Sequence, residues 1–338
     1  MSMARRVVMR EVGEPEVMHL EGVELEAPGE HEVRVRQTAI GFNYIDVYQR
    51  QGKYPLPLPS GLGHEAAGVV EAVGSAVSGF APGDRVAYMN AGIGAYADVR
   101  NVAADRLVPV PGGLSDEQAA AVLFKGLTAQ YLLRRTHRVQ AGQTVLVHAA
   151  AGGVGQILCR WAKALGATVL ATAGSPAKCE LARRAGADVA VDYSRPDWVR
   201  RLLEANGHRK ADVVYDSVGR DTFEHSLDCA APFGLVVLYG AASGRCRPST
   251  PSCSTARVAC TSRAPRCSPT TRTPPPCAPT PPSCSRPSRG AGCRPRCRSD
   301  SPWTRWWPCT GPRNPAPPRA RWCWFPEGRA TQAAWRSG

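Results

Sequence analysis

The chain has 338 residues, enough for two domains that each bury a core. A formal charge of +14 would point to nucleic acid or a membrane surface if it were spread over the fold. It is not spread: residues 1–244 hold 25 Lys plus Arg against 26 Asp plus Glu, whereas residues 245–338 hold 17 Arg, no Lys and only two acids, Asp300 and Glu327.

The N-terminus runs into the polar stretch Met9-Arg-Glu-Val-Gly-Glu, with no apolar leader core, and no stretch approaches the roughly 18 apolar residues of a membrane span. Only Cys159, Cys179 and Cys229 precede residue 244. Both features predict a cytoplasmic protein with no membrane partner. To about residue 125 the chain reads as short alternating runs, such as Glu32-Val-Arg-Val-Arg-Gln-Thr-Ala and Ala66-Ala-Gly-Val-Val-Glu-Ala-Val, with turns at Pro28-Gly29 and Pro82-Gly83-Asp84. This section is predicted to be β-rich.

From Thr144 the rhythm changes to buried strand followed by amphipathic helix. Strands are predicted over 144–149, 168–172, 189–193, 213–216 and 235–239, with helices over 153–165, 176–184, 198–205 and 222–230. That alternation argues an α/β fold with a doubly wound parallel sheet.

The run Val145-Leu-Val-His-Ala-Ala-Ala-Gly-Gly-Val-Gly155 ends the first of these strands and opens a helix, with Ala150, Gly152 and Gly155 at the three positions of a dinucleotide fingerprint. Small residues there let backbone amides approach a pyrophosphate at the helix N-terminus. Standing alone, the run could equally be a tight packing turn; its β-α-β surroundings favour the nucleotide. Where an acid would select NAD, the chain has Ala173-Gly-Ser-Pro-Ala-Lys178. With no carboxylate to repel a 2′-phosphate, and with Gly174, Ser175 and Lys178 to meet it, NADPH is the expected cofactor.

Further motifs stand in order: Ala39-Ile-Gly-Phe-Asn-Tyr-Ile-Asp46, Leu62-Gly-His-Glu-Ala-Ala-Gly-Val-Val70, Gly83-Asp-Arg-Val86, Lys125-Gly-Leu-Thr128 and Val214-Tyr-Asp-Ser-Val-Gly219. With the fingerprint turn, they make residues 7–244 resemble the medium-chain dehydrogenase/reductase superfamily in its NADPH:quinone oxidoreductase (zeta-crystallin-like) branch. Arg160 departs from the Gln usual there. The resemblance implies a GroES-like catalytic domain over 1–125, a Rossmann domain over 126–244, an active site between them and a homodimer. It also implies that Asn43, Asp46 and Tyr48 lie beside the nicotinamide and that Lys125, Thr128 and Tyr131 line the domain junction. The phosphates would rest on Gly152, Gly153, Val154 and Gly155, and the 2′-phosphate end on Gly174, Ser175, Lys178 and Tyr193, with Ser217 near the cleft. The implied activity is hydride transfer from NADPH to a quinone or activated alkene, with Tyr48 or Tyr54 as hydrogen-bond donor to the acceptor oxygen.

Gly63-His-Glu65 is also how zinc alcohol dehydrogenases of this superfamily write one metal ligand. No cysteine precedes Cys159, so the thiolate such a site needs is missing, and His64 is expected to be packed or hydrogen-bonded, with no metal.

After Gly244 the logic stops. The last 94 residues contain no Leu, Ile, Met, Lys, Tyr or His, and Val258 is the only aliphatic residue larger than Ala. They hold 19 Pro, 17 Arg, ten Cys and six Trp. Three readings compete: a basic nucleic-acid-binding tail on a non-enzymatic NADPH-binding relic, a cysteine-stapled module, and a shifted reading frame in a GC-rich gene. The third has positive support. Codons for Cys260-Thr-Ser-Arg-Ala-Pro-Arg266, read from the third base of Ala259, allow Leu-Tyr-Phe-Thr-Arg-Pro-Thr. That resembles the Leu-Tyr-x-Thr-Arg-Pro segment this branch carries after its Gly-Ala-Ala-Ser-Gly turn. An out-of-frame tail predicts disorder over 245–338, loss of the last Rossmann strand and of the returning segments, an unpaired sheet edge, and crippled activity.

Overall fold

The computed structural model of the chain describes residues 2–246 and, further on, strand backbone at 257–260 and 323–324. The alternating runs of the first section become strands that bury every second side chain on one face. β1 (Ser2–Val8) and β2 (His19–Leu25) pair as an antiparallel hairpin. β3 (Glu32–Gly41), β4 (Glu65–Val73), β5 (Arg85–Met89) and β7 (Leu107–Pro109) lie side by side in an antiparallel sheet. β6 (Val99–Ala103) takes the other edge of β3, opposite Glu32–Arg36. Val33, Val35, Ile40, Val70, Val86 and Tyr88 fill the core of this half.

A short helix, α1 (Tyr44–Arg50), follows β3. α2 (Asp116–Tyr131) opens on a capping box, in which Ser115 Oγ accepts from the Gln118 N–H and the Gln118 side chain accepts from the Ser115 N–H. The expected junction at residue 125 thus falls inside one continuous helix, which packs against β3, β4 and β5 and also against the first helix of the second half.

The second half carries β8 (Thr144–Val147), α3 (Gly153–Ala164), β9 (Thr168–Ala173), α4 (Pro176–Arg184), β10 (Val189–Asp192), α5 (Trp198–Ala205), β11 (Ala211–Asp216), α6 (Phe223–Cys229) and β12 (Ala230–Leu238). Its strands are parallel and ordered β10-β9-β8-β11-β12, so the order reverses between β8 and β11. This is the predicted doubly wound sheet, with its ligand-binding crevice expected at that reversal.

Two expectations about the C-terminal segment are corrected. β12 has no open edge: β13 (Arg257–Cys260) pairs with it in parallel, Leu235 opposite Arg257 through Leu238 opposite Cys260, and supplies the sixth strand. A segment also returns to the first half, where β14 (Cys323–Trp324) pairs antiparallel with Gly41 and Ile40 of β3, beyond the end of β6. The reason is that ladder pairing is a backbone interaction, so a strand can form without the apolar face that the composition lacks. The other expectations for 245–338, disorder, a cysteine module and a nucleic-acid-binding tail, lie outside the described residues. Among the described residues no helix is long and apolar enough to cross a membrane.

Gly41 is where β3 and α2 leave no spare room around Glu65. A Cβ there would sit 2.2 Å from the Ala120 carbonyl oxygen of α2 and 2.4 Å from Glu65 Oε2. Gly41→Ala is expected to lower stability by about 1–3 kcal/mol through this overpacking, read as a lower denaturant midpoint at unchanged slope.

Candidate active site

The site is organised around Glu65, the first residue of β4, whose side chain is fully buried. A buried carboxylate must be paired and hydrogen-bonded. Oε2 accepts from Asn43 Nδ2 at 2.9 Å and from Lys125 Nζ at 3.3 Å, and Oε1 accepts from the Phe124 backbone N–H. Lys125 Nζ also donates to Asn43 Oδ1 at 3.0 Å. The turn into α1 and the middle of α2 are thereby locked to one anion.

Asp46 lies beside this group. Its Oδ2 accepts from the Asn43 N–H at 2.8 Å and from the Tyr96 hydroxyl at 3.0 Å, while Oδ1 is buried with no hydrogen-bond partner. Burial pushes the Asp46 carboxyl up to about 7, against the pull of these bonds and of Lys125. Burial raises the Glu65 carboxyl as well, opposed first by Lys125. Tyr96 is held well above the ordinary tyrosine value by burial and by Asp46.

Tyr48, buried on α1, accepts a hydrogen bond from the Ala241 N–H at 3.1 Å, which ties it to the loop after β12. Burial pushes its hydroxyl up to about 12, so it stays protonated. Since its oxygen is the acceptor in that bond, its own proton remains to be donated elsewhere. Tyr54 stacks on Tyr48 at 5.4 Å between centroids.

In the second half, the chain turns out of β8 through Ala149, whose φ of +49° is unusual for a residue with a side chain. A Cβ on Gly155 would stand 2.4 Å from the Ala149 carbonyl oxygen, and one on Gly153 would stand 2.7 Å from Lys125 Cδ. The Lys125 stem therefore lies against the fingerprint turn while its ammonium reaches Asn43 and Glu65. Gly152 caps α3 without a side chain, leaving the first amides of the helix, from Gly153, Val154 and Gly155, without an intrahelical acceptor. At the end of β9, Ser175 Oγ accepts from the Lys178 N–H at 3.3 Å, and Gly174 faces the Tyr193 hydroxyl, which a Cβ would approach to 3.3 Å. Lys178 is exposed, with no acidic partner among the described residues.

Asn43, Asp46 and Lys125 are thus brought together, with Gly153 against Lys125, and Gly174, Ser175, Lys178 and Tyr193 form a second group. The Ser217 carbonyl accepts from Ala242 N–H at 3.2 Å, next to the Tyr48 contact. Thr128 is not drawn into the first group, because its hydroxyl bonds the Phe124 carbonyl in its own helix at 2.8 Å. Tyr131 packs against the core of the second half. Sequence reasoning missed Glu65 and Tyr96. The signal for Glu65 was an acid opening the apolar run at 66–70.

His64 Nε2 lies 2.9 Å from Gln49 Oε1, and burial holds the imidazole below its ordinary value, hence neutral. Its neighbour Glu65 is occupied by Lys125 and Asn43. Among the described residues no three His, Cys, Asp or Glu side chains converge in a way that could hold a metal ion. The donor set at His64 does not fit zinc.

Two family models match the chain: the alcohol dehydrogenase GroES-like domain over residues 29–112 and the zinc-binding dehydrogenase over residues 153–264, which includes β13. A quinone oxidoreductase of Pseudomonas aeruginosa is 54% identical over 243 residues, 72% of this chain and 75% of the relative. A 2-haloacrylate reductase of a Burkholderia species is 44% identical over 253 residues, 73% of this chain and 76% of the relative. The crystal structure of Escherichia coli quinone oxidoreductase complexed with NADPH superposes with a TM-score of 0.72 at 46% identity, covering 76% of this chain and 81% of that one.

The raised Asp46 value carries a pH signature. A carboxyl at about 7 in the fold and near 3.8 when unfolded is protonated in the native state but ionised in the unfolded state between those values. Its contribution makes stability fall as pH rises from about 4 to 7, by at most about 4 kcal/mol, and then level off. Asp46→Asn is expected to gain stability relative to the parent as pH is raised from about 5 to 8, measured by denaturant unfolding at both values.

Proposed function

Because the chain belongs to the medium-chain dehydrogenase/reductase superfamily, in its quinone oxidoreductase branch, we propose that it is an NADPH-dependent reductase that delivers a hydride to a quinone or an activated alkene without a metal ion. The observation that carries this is Lys125, whose stem lies against the fingerprint turn while its ammonium is held by Asn43 and Glu65. One side chain thus connects a pyrophosphate cradle to a polar pocket in the other half.

Bound NADPH supplies the hydride, and one proton from the protein or solvent completes the two-electron reduction. The Gly152–Gly155 turn would take the pyrophosphate on its free amides. Gly174, Ser175, Lys178 and Tyr193 would take the 2′-phosphate, with Lys178 as its counter-charge. Asn43, Asp46 and Lys125 would orient the nicotinamide, and Thr128, Tyr131 and Ser217 would border the cleft. Tyr48 is the favoured hydrogen-bond donor to the acceptor oxygen, since the Ala241 amide occupies its lone pair and its proton is retained. Tyr54, stacked on it, holds the ring in place.

A homodimer and a cytoplasmic location belong to this reading. The location is supported by buried, unbridged Cys159, Cys179 and Cys229. We assign residues 245–338 to a shifted frame beginning near residue 245, on the codon match after Ala259 and the missing apolar residues. Resequencing codons 240–250 tests that assignment, and an unaltered sequence together with salt-dependent RNA binding by the chain would favour the basic-tail reading.

The cofactor assignment is tested by fluorescence titration. Lys178→Ala is expected to weaken NADPH binding about tenfold while leaving NADH nearly unchanged, and equal losses for both would defeat it.

A further inference from the structure

A buried polar chain crosses the Rossmann half and uses none of the residues placed beside the nicotinamide. Thr172 Oγ1 lies 2.7 Å from His148 Nδ1, His148 Nε2 lies 3.0 Å from Ser226 Oγ, and Ser226 Oγ donates to Asp216 Oδ2 at 2.8 Å. Thr222 Oγ1 donates to the same carboxylate, and the Val218 and Gly219 N–H groups donate to Oδ1 at 2.8 and 3.0 Å. His148, Thr172, Asp216 and Ser226 are fully buried.

The residue types are those of a hydrolytic triad, but the order is wrong for one. Ser226 has one proton and two oxygen acceptors, Asp216 Oδ2 at 2.8 Å and the Thr222 carbonyl at 3.0 Å; with that proton on either, Ser226 accepts from His148 Nε2–H and His148 Nδ1 accepts from Thr172. No nucleophile faces solvent, and burial keeps His148 neutral. The chain must do something other than chemistry.

Its ends say what. His148 follows β8 and immediately precedes Ala149 and the fingerprint turn; Asp216 ends β11. These are the neighbouring strands between which the sheet order reverses, where α/β folds open their ligand crevice. The loop that Asp216 gathers is itself bonded onward: the Val218 carbonyl accepts from Ser243 N–H and Oγ, both at 2.9 Å, and the Asp221 N–H donates to Ser243 Oγ at 3.0 Å.

We propose that Asp216 is a positioning residue for the nicotinamide half of the cofactor, holding the 217–219 loop against the fingerprint turn through Ser226 and His148 so that the crevice has one width. The inference rests on the NADPH reading of the site. It assigns Asp216 no hydrogen bond to the adenosine 2′-phosphate residues, which follow β9 (Gly174, Ser175 and Lys178) and β10 (Tyr193), on the other side of β8.

That separation supplies the test, made on the full chain with two ligands: NADPH, and 2′,5′-ADP, which carries only the adenosine end. Asp216→Asn keeps the volume but removes the anion that the two amides and two hydroxyls share. NADPH binding is expected to weaken about ten- to a hundredfold while 2′,5′-ADP binding changes less than about twofold. Should that variant fail to fold, Thr222→Val, which removes one donor from the same carboxylate, is expected to weaken NADPH about threefold and again spare 2′,5′-ADP. A merely structural role would move both ligands together. Parent protein that binds NADPH alongside variants that bind it equally well, or that lose both ligands in parallel, would overturn the inference alone. Parent protein that binds neither ligand would overturn the cofactor reading and this inference with it.

Discussion

A fully buried carboxylate sets the terms for this molecule. Glu65 cannot remain in the interior without donors, and the donors it has, Asn43, Lys125 and the Phe124 amide, come from the turn into α1 and from the middle of α2. Because α2 also packs against α3, this anion helps register the first half against the nucleotide-binding half, together with the Tyr48–Ala241 bond. The small residues follow from the same demand. Gly41 leaves space for the Glu65 carboxylate and Gly153 for the Lys125 stem. Replacing either partner of the ion pair would strand a buried charge, a larger cost than the pair's own attraction would suggest.

The chemistry of the pocket follows from there being two buried carboxyls and one ammonium. Lys125 lies within bonding distance of Glu65, whereas Asp46 has only the Asn43 amide and the Tyr96 hydroxyl. Burial therefore dominates at Asp46 and favours its neutral form up to about neutrality. Two residues further along the same helix, Tyr48 keeps its proton for the same physical reason. Two groups close together on one helix, Asp46 up to about neutrality and Tyr48 beyond it, thus keep their protons.

Where periodicity was strong, the sequence was legible. The helices at 176–184 and 198–205 end where their apolar and capping patterns end, and the β8-turn-α3 fingerprint appears as read. Asn43 and Asp46, grouped by the family resemblance, lie together in the structure, and Lys125, which the resemblance put at the domain junction, bonds to Asn43. Glu65 left only the weak signal of an acid opening an apolar run and Tyr96 left none, because their importance comes from burial, and burial is a property of the assembled sheet. The Thr128 hydroxyl bonds the carbonyl one turn back, a local partner available to threonine in any helix, which periodicity does not reveal. β13 and β14 were missed because composition measures side chains, whereas ladder pairing is made by the backbone.

The central claim is metal-free hydride transfer from NADPH, and its most direct test is anaerobic single-turnover oxidation of NADPH by a quinone in the presence of a strong chelator. NADPH deuterated on either face of the transferable position is compared with the unlabelled cofactor. The account predicts oxidation, however slow in this chain, that is unaffected by the chelator and is retarded by deuterium on one face only. Oxidation that the chelator abolishes and zinc restores, or that shows no isotope effect from either face when the chemical step is isolated, would contradict it.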